Sequence, residues 1–483
     1  MLKVLKNHLL LVILLLLFSF LFFFRLSWNT LVSWDEAWYA VIARTILQRG
    51  DWMNMMWKGQ PYFDHPPLGF WSMAVTYKLL GISEFTTRLP SAVYGILAII
   101  FIYLTAIELF GKKVIGFVAA LIMGTSVWYL VRVRSGDLDS IFVFFYILTV
   151  YLSIKSGRNF RWFPLTMAAF AGLILAKTLV GWSAGVLVLF WNWQWFIKSK
   201  KNILLTVLGI VVLLAIVLPW YYINDKNNIY FIQQHFINVG IRKRTSIFDY
   251  LKLEYQQPLF YLHMGVRKWY YLWLAGIILL IATLKFLKKP VFFLFLWNFV
   301  ILYPFLTTDQ TQIWHLIPVY LPMSFIAAAG FYYGAEFCTT LIKKIKPLHW
   351  LKPFTKPEIV NICFVGIFVI ITLIQIKNFY KEVYPDSRYM PDDVDISKKV
   401  AKYPQKIYLD DDFTPIAIFY SDRDITPLLD LPDEKRTMAR FFQSDEKNFV
   451  VVTRNWAIDN LVVAKIPYKI LEKNNSFSIV TRP

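Results

Sequence analysis

Two neighbouring carboxylates, Asp35 and Glu36, follow the first apolar segment of the chain. They lie in an aromatic stretch, residues 33–39, which opens a long loop. A carboxylate at the mouth of a membrane helix is costly, and such groups usually mark a functional site. A carboxylate within hydrogen-bond reach of a hydroxyl can accept its proton during nucleophilic attack. Asp35 is therefore a candidate catalytic carboxylate that acts as a base, and the alternative is a solvated loop that ends the first span.

A second acidic group follows the third predicted span. Asp137 and Asp139 alternate around Leu138, so one of them can face a cavity while the other faces solvent. Arg132 and Arg134 precede them, at the end of a span and on the side opposite to most basic loops. The alternative, an ordinary charged loop, is weakened by the position of these two arginines.

The composition indicates which elements must hold these groups. The chain of 483 residues is 57% hydrophobic and only 17% charged, and its mean hydropathy is +0.49. It is too apolar for a soluble protein, and apolar runs long enough to cross a bilayer recur along it. We predict a mainly α-helical, polytopic transmembrane bundle of about eleven spans. The predicted spans are residues 8–26, 88–110, 114–131, 140–155, 162–179, 182–198, 203–222, 259–283, 291–306, 316–337 and 359–378.

The charges predict how these spans are oriented. Short basic loops, such as residues 155–161 and 198–201, mark the cytoplasmic side together with the basic N-terminus. The long loops 27–87 and 223–258 then lie outside, as do most acidic residues of the membrane part. We therefore predict a plasma (inner) membrane protein whose active site is extracytoplasmic. Topology and anionic lipid explain the excess of basic residues better than nucleic acid does.

The chain changes character after residue 380. Residues 381–483 contain 16 Lys and Arg against 17 Asp and Glu, whereas residues 1–380 contain 35 against 14. We predict a transmembrane domain, 1–380, and a small extracytoplasmic α/β domain, 381–483. Its predicted helix is 433–442, and an interfacial helix is predicted at 35–48 in the outer loop. The predicted strands are residues 406–410, 449–453, 468–472 and 476–481.

The motifs around the candidate residues resemble those of GT-C glycosyltransferases that use polyprenyl-phosphate sugars. This superfamily includes the protein O-mannosyltransferases and the aminoarabinose transferases that modify lipid A. The resemblance covers about residues 1–330, with weaker matches at 176–181 and 314–318. The clearest segments are DEAWY at 35–39, PYFDHPPLGFW at 61–71, EFTTRLPSA at 84–92 and RSGDLD at 134–139.

The resemblance implies inverting transfer of a sugar from a lipid phosphate to an acceptor, which can be a protein, a lipid or a glycan. Asp35 would be the general base, with Glu36 beside it as a supporting site residue. Asp139 would orient the acceptor or a metal. The leaving phosphate needs positive charge nearby rather than a strong acid. The candidates for this charge are Arg134, Lys177, His65, Arg242 and Lys243.

The chain departs from the family pattern just before the paired prolines. The family often has Glu-Lys at these two positions, whereas this chain has Asp64 and His65. A histidine is neutral about half the time near neutral pH, so His65 could bind phosphate or ligate a metal. Asp64, His65 and His235 could together hold a divalent cation. The alternative for His65 is a turn histidine that faces water.

Two other functional classes are compatible with the sequence. A transporter or flippase of lipid-linked sugars would need broken helices and polar groups near the middle of the spans. A non-catalytic membrane scaffold would use its C-terminal domain to recruit partners. Sugar transfer distinguishes the enzyme from both, and cross-linking to a polyprenyl phosphate also favours it.

Overall fold

The computed structural model describes most of the chain, and its described part is mainly helical. Helices dominate because a backbone inside a bilayer must satisfy its hydrogen bonds within its own segment. The described residues are 8–177, 179–241, 257–306, 311–385 and 389–483. The helices before residue 385 are α1 (Leu9–Phe23), α2 (Trp38–Arg49), α3 (Leu68–Leu80), α4 (Glu84–Phe110), α5 (Lys113–Gly124), α6 (Val127–Val133), α7 (Asp139–Ser156), α8 (Phe163–Ala176), α9 (Ser183–Asn192), α10 (Lys200–Asn227), α11 (Gln257–Val266), α12 (Lys268–Ala282), α13 (Lys289–Leu306), α14 (Tyr320–Lys344) and α15 (Pro357–Val383).

The predicted transmembrane helical bundle is confirmed, whereas the number of eleven spans stays a prediction. Among the described residues, six helices are long and apolar enough to cross a membrane. Two bent pairs of helices raise this number to eight. Two shorter apolar helices, Leu9–Phe23 and Phe160–Ala176, lie where two further spans are predicted.

Two of the predicted spans are broken helices. The helices α5 and α6 bend by 75° at the break, and the segments Pro258–Val266 and α12 bend by 108°. At the second break Arg267 has a φ of 51°. One side chain joins both breaks, because Gln375 in α15 donates its amide to the carbonyl oxygens of Thr125, at 3.3 Å, and Val266, at 3.0 Å.

The chain forms two compact units. The first unit consists of the described residues within Met1–Phe24, Phe63–Gly69 and Pro90–Pro385. The second unit combines Arg25–Tyr62 and Phe70–Leu89 with the described residues of Asp386–Pro483. Much of the predicted outer loop 27–87 therefore shares a compact unit with the C-terminal segment, while the predicted boundary at residue 380 stays a prediction.

The C-terminal part of the second unit is built around a five-stranded sheet, and a short hairpin of β1 (Met56–Trp57) and β2 (Gln60–Pro61) precedes it in the chain. The strands of the sheet are β3 (Lys406–Asp410), β4 (Ile425–Pro427), β5 (Phe449–Arg454), β6 (Lys469–Lys473) and β7 (Phe477–Thr481). Their order is β4-β3-β5-β7-β6. Strands β4, β3 and β5 are parallel, whereas β7 and β6 are antiparallel to their neighbours. The helices are α16 (Asp392–Val400), α17 (Thr414–Ser421), α18 (Met438–Gln443) and α19 (Asp459–Val463).

Four of these strands lie where the sequence predicts them, and the short strand β4 was not predicted. The predicted helix at 433–442 is wrong in extent. Residues Asp433–Lys435 form a separate 3₁₀ turn, and α18 begins only after Thr437. The side chain of Thr437 accepts the backbone N–H of Arg440, so this N-cap starts a new helix.

Candidate active site

The first unit holds a cluster of two carboxylates and two cations where α6, α7 and α8 end or begin. Asp139 lies in the first turn of α7, and Lys177 follows the last residue of α8. The ammonium of Lys177 donates to Oδ1 of Asp139. The Nε of Arg132 lies 3.5 Å from Oδ2 of Asp139. A terminal guanidinium nitrogen of Arg132 lies 3.3 Å from Oδ2 of Asp137.

This cluster is largely removed from water. Asp137 and Asp139 are each 3% exposed and Arg132 is 7% exposed, whereas the side chain of Lys177 keeps 19% of its surface exposed. Buried charges persist only when they are paired and hydrogen-bonded. Two carboxylates face two cations here, and Lys177 is the member that a ligand can reach most easily.

Backbone and aromatic groups hold the cluster in place. The backbone N–H of Asp139 donates to Oδ1 of Asp137 at 2.9 Å, and the N-terminus of α7 favours the carboxylate of Asp139. The guanidinium of Arg132 lies 5.0 Å from the ring centre of Trp314. The weakly matching segment 314–318 thus contributes Trp314 to this cluster.

A second polar group of the first unit surrounds the segment Phe63–Gly69. The carboxylate of Asp64 accepts a hydrogen bond of 2.8 Å from Gln234. Burial raises the pKa of Asp64 above its ordinary value, and this hydrogen bond partly opposes the rise. The segment packs closely on the loop before α7, since a Cβ on Gly69 would lie 2.2 Å from Leu138. A side chain at this position would require the terminal methyl group of Leu138 to shift.

His235 is a buried residue of this second group, and both of its ring nitrogens have partners. Its Nδ1 lies 2.7 Å from the carbonyl oxygen of Phe63, and its Nε2 lies 3.3 Å from the hydroxyl of Tyr221. The carbonyl can only accept, so Nδ1 carries the proton and Nε2 accepts from the hydroxyl. Burial lowers the pKa of His235 below its ordinary value.

These contacts do not form the predicted cation site. The described residues contain no group of three or more His, Cys, Asp or Glu side chains that could hold a metal ion. Asp64, His65 and His235 therefore do not meet as a ligand set. The reason is local, because Asp64 is held by an amide and His235 uses both ring nitrogens within the protein.

Arg134, a predicted phosphate ligand, lies against the end of α1. One of its terminal nitrogens donates to the carbonyl oxygens of Leu21 and Phe22, at 3.0 and 3.1 Å. Its guanidinium also lies 4.5 Å from the ring centre of Tyr384. The arginine that approaches Asp139 is Arg132, which was not among the predicted phosphate ligands. The predicted ligands Arg242 and Lys243 lie outside the described residues.

In the second unit, Asp35 lies in an unusual turn before α2. Its φ and ψ are 68° and −70°, which is a strained conformation for a residue with a side chain. The backbone N–H of Ala37 donates to the carbonyl oxygen of Val32, five residues earlier, at 2.9 Å. This single π-type turn replaces the start of the predicted interfacial helix, and such turns occur frequently at functional sites.

Glu36, the neighbour of Asp35, is a structural anchor. It is 2% exposed, and its two carboxylate oxygens accept from Nε and a terminal nitrogen of Arg88, at 2.7 and 2.9 Å. Arg88 also donates to the carbonyl oxygens of Leu26, Asn29 and Thr30. Arg88 lies in the motif at 84–92, but it was not among the predicted site residues.

A known family model matches part of the chain. The family described as "Dolichyl-phosphate-mannose-protein mannosyltransferase" matches residues 64–223, which include Asp139 and Lys177. A relative from Pseudomonas paraeruginosa, named undecaprenyl phosphate-alpha-4-amino-4-deoxy-L-arabinose arabinosyl transferase, is 28% identical over 217 residues. That match covers 43% of this chain and 39% of the relative. A relative of the same name from Pseudomonas savastanoi pv. phaseolicola is 25% identical over 192 residues. This match covers 38% of this chain and 36% of the relative.

The fold comparison extends over nearly the whole chain. The crystal structure of ArnT from Cupriavidus metallidurans in the apo state superposes on this chain with a TM-score of 0.69 and 17% sequence identity. The match covers 97% of this chain and 97% of the ArnT chain. The chain has the ArnT fold. The structure of the same ArnT bound to undecaprenyl phosphate gives a TM-score of 0.68 at 16% identity, again over 97% of both chains. The family model, the curated relatives and the fold together confirm the resemblance to the GT-C glycosyltransferases, although the sequence matches span less than two fifths of these relatives.

Proposed function

We propose that this protein transfers a sugar from a polyprenyl-phosphate donor to an acceptor nucleophile at the extracytoplasmic face of the membrane. The names of the matching relatives include an undecaprenyl phosphate sugar, and one ArnT structure contains undecaprenyl phosphate. The acceptor is a protein, a lipid or a glycan with a nucleophilic oxygen or nitrogen. The N-terminus is cytoplasmic, and Asp35 faces the opposite side.

The observation that carries this proposal is the buried cluster around Lys177. A lipid-linked phosphate needs a cation that is fixed in place and shielded from water. Asp139 accepts from Lys177 and therefore holds its ammonium, while Arg132 balances the charge of Asp139. Lys177 is the most exposed of these groups, so its ammonium would contact the donor phosphate.

Asp35 would accept the proton of the attacking group. The acceptor oxygen or nitrogen attacks the anomeric carbon from the face opposite to the phosphate, and a new glycosidic bond forms with inversion. The bond between the anomeric carbon and the phosphate oxygen breaks, and its electron pair leaves with the polyprenyl phosphate. The proton of the acceptor passes to the carboxylate of Asp35. Glu36 supports this step by fixing the turn, because its own oxygens are occupied by Arg88.

Separate substitutions can test chemistry and donor binding. Asp35→Asn removes the base, so transfer should fall by at least ~10²-fold, while labelling by a photoreactive undecaprenyl phosphate analogue should stay unchanged. Lys177→Met removes the phosphate ligand, so the same labelling should fall about tenfold. Transfer is measured by mass spectrometry of glycolipids and glycoproteins from cells that carry each variant.

The control is Glu36→Gln, which should act mainly on stability. Loss of one partner from a buried ion pair costs about 3–5 kcal/mol, so the unfolding temperature in detergent should fall. Full transfer by Asp35→Asn would remove Asp35 from the mechanism. Labelling of Lys177→Met at the wild-type level would remove Lys177 from the donor site, and uptake by sealed vesicles without sugar transfer would favour a transporter.

A further inference from the structure

The hydroxyl of Tyr420 connects the C-terminal segment to the turn that carries Asp35. Tyr420 lies in α17, 389 residues after Leu31, and it accepts the backbone N–H of Leu31 at 2.8 Å. The same hydroxyl donates to the carboxylate of Glu84 at 3.1 Å. The hydroxyl of Tyr420 thus accepts one hydrogen bond from Leu31 and donates another to Glu84, which lie in two separate segments of the second unit.

The backbone that leads to Asp35 is fixed residue by residue. Arg88 binds the carbonyl oxygens of Asn29 and Thr30, and Tyr420 binds the N–H of Leu31. Glu36 accepts the N–H of Val32 at 2.9 Å. Three side chains therefore hold four consecutive residues, and one of the three comes from the C-terminal segment.

A second contact keeps α17 in position against α2. The guanidinium of Arg44 donates to the carbonyl oxygens of Ile418 and Phe419, at 3.1 and 3.3 Å, and pairs with Asp422 at 2.8 Å. The last carbonyls of a helix lack partners within the helix, and a cation there complements the helix dipole. Arg44 is 6% exposed, so this cap is buried. The position of Tyr420 is consequently tied to the helix that follows Asp35.

We propose that Tyr420 is a positioning residue for Asp35, and that the C-terminal segment is therefore part of the catalytic apparatus. This inference rests on the proposed function of Asp35. The strained backbone of Asp35 persists only while the surrounding contacts determine it. If the bond to Leu31 is lost, the turn relaxes and the carboxylate moves away from the acceptor. A misplacement of about 1 Å can cost about 10²-fold in rate.

Tyr420→Phe tests the proposal, because it removes one hydroxyl and keeps the aromatic ring. The matched control is Tyr403→Phe, since the hydroxyl of Tyr403 also donates to a glutamate, Glu472, at 2.8 Å in the same C-terminal segment. In Tyr420→Phe, kcat should fall about tenfold or more, while the KM for the lipid-linked donor stays within about twofold of wild type. Tyr403→Phe should leave both constants unchanged.

Hydrogen exchange of the full-length protein in detergent gives a readout that does not depend on activity. The amide of Leu31 should exchange faster in Tyr420→Phe than in wild type, and Tyr403→Phe should not change it. Unchanged exchange at Leu31, or equal loss of kcat in both variants, overturns the positioning role. If wild type transfers no sugar while exchange changes as expected, the proposed function fails and the contact between Tyr420 and the turn stands.

Discussion

One of two neighbouring arginines lies beside the buried carboxylates, and sequence alone does not show which one. Arg132 and Arg134 are two positions apart, and the resemblance favours Arg134 as the phosphate ligand. In the structure Arg134 binds carbonyl oxygens at the end of α1, whereas Arg132 lies beside Asp137 and Asp139. Two residues on a helix differ in direction by about 200°. The pattern alone could not decide which side chain faces the acids.

The neighbouring carboxylates Asp35 and Glu36 also differ in their contacts. The resemblance assigns Asp35 as the general base and Glu36 as a supporting residue, but it does not show what holds Glu36 in place. Glu36 is enclosed by Arg88 and the backbone of Val32, 52 and 4 residues away. A partner 52 residues away is set by tertiary packing and leaves no local signal in the sequence. The strained backbone conformation of Asp35 likewise cannot be predicted from the sequence.

His235 should make the stability of the protein depend on pH. Its pKa is lowered by burial in the folded state, so acidification protonates the unfolded chain first. The contribution of His235 to stability is complete above about pH 6.5 and is lost as the pH falls from there towards the lower pKa of the folded state. The loss can reach at most about 1.4 kcal/mol per pH unit.

Thermal unfolding of the wild type and His235→Gln in detergent, between about pH 7.5 and 5.5, measures this effect. The decrease in unfolding temperature on acidification should be smaller in His235→Gln than in wild type. Equal slopes for both proteins would contradict the assignment. Asp64 acts in the opposite direction, since its pKa is raised, and it is retained in both proteins.

At the level of elements, hydrophobicity predicts where helices lie but not where they break. The span predicted at 114–131 is divided between α5 and α6. At the break, side chains from distant helices bind Thr125, because Trp269 donates to its hydroxyl at 3.2 Å and Gln375 donates to its backbone carbonyl oxygen. The break lies at Gly124-Thr125-Ser126, and such pairs of glycine and serine are frequent at helix kinks. The local residues thus permit the bend, and contacts with distant helices stabilise it.

Gln375 should be needed to hold both bent pairs. Gln375→Leu keeps the size of the side chain and removes the donor to Thr125 and Val266, so two carbonyl oxygens lose a buried partner. We expect a loss of about 2 kcal/mol or more, measured as a lower unfolding temperature in detergent.

The control for this prediction is Ile374→Ala, one position earlier on the same helix. Ile374 is exposed on the surface of the protein, so its truncation should change the unfolding temperature little. An unfolding temperature of Gln375→Leu equal to that of wild type would show that the breaks are held by other contacts.

At the level of the whole molecule, the sequence predicts the class of fold well and the association of its parts poorly. Apolar runs are sufficient to predict a helical membrane protein, and four of the five strands of the C-terminal sheet follow from short apolar runs between polar turns. That residues 25–62 share a unit with residues 389–483 could not be predicted, because it depends on buried contacts such as Arg44 with α17.

These contacts lead to a prediction about topology. Val32 and the C-terminal segment must lie on one side of the membrane, since the neighbouring Leu31 binds Tyr420. The basic loops predict that this side is extracytoplasmic and that Lys198 is cytoplasmic. In a background without Cys338 and Cys363, a membrane-impermeant maleimide should label Val32→Cys and Leu429→Cys in intact cells. It should label Lys198→Cys only after permeabilisation.

All these positions suit labelling because each lies exposed on the surface of the protein. The three variants separate two different failures. If Val32→Cys and Leu429→Cys are labelled from opposite sides, the contact between the first loop and α17 does not exist in the membrane, and the positioning role of Tyr420 fails with it. If both are labelled only after permeabilisation, the contact stands but the orientation is inverted. In that case Asp35 would face the cytoplasm, and the donor sugar would have to be used there.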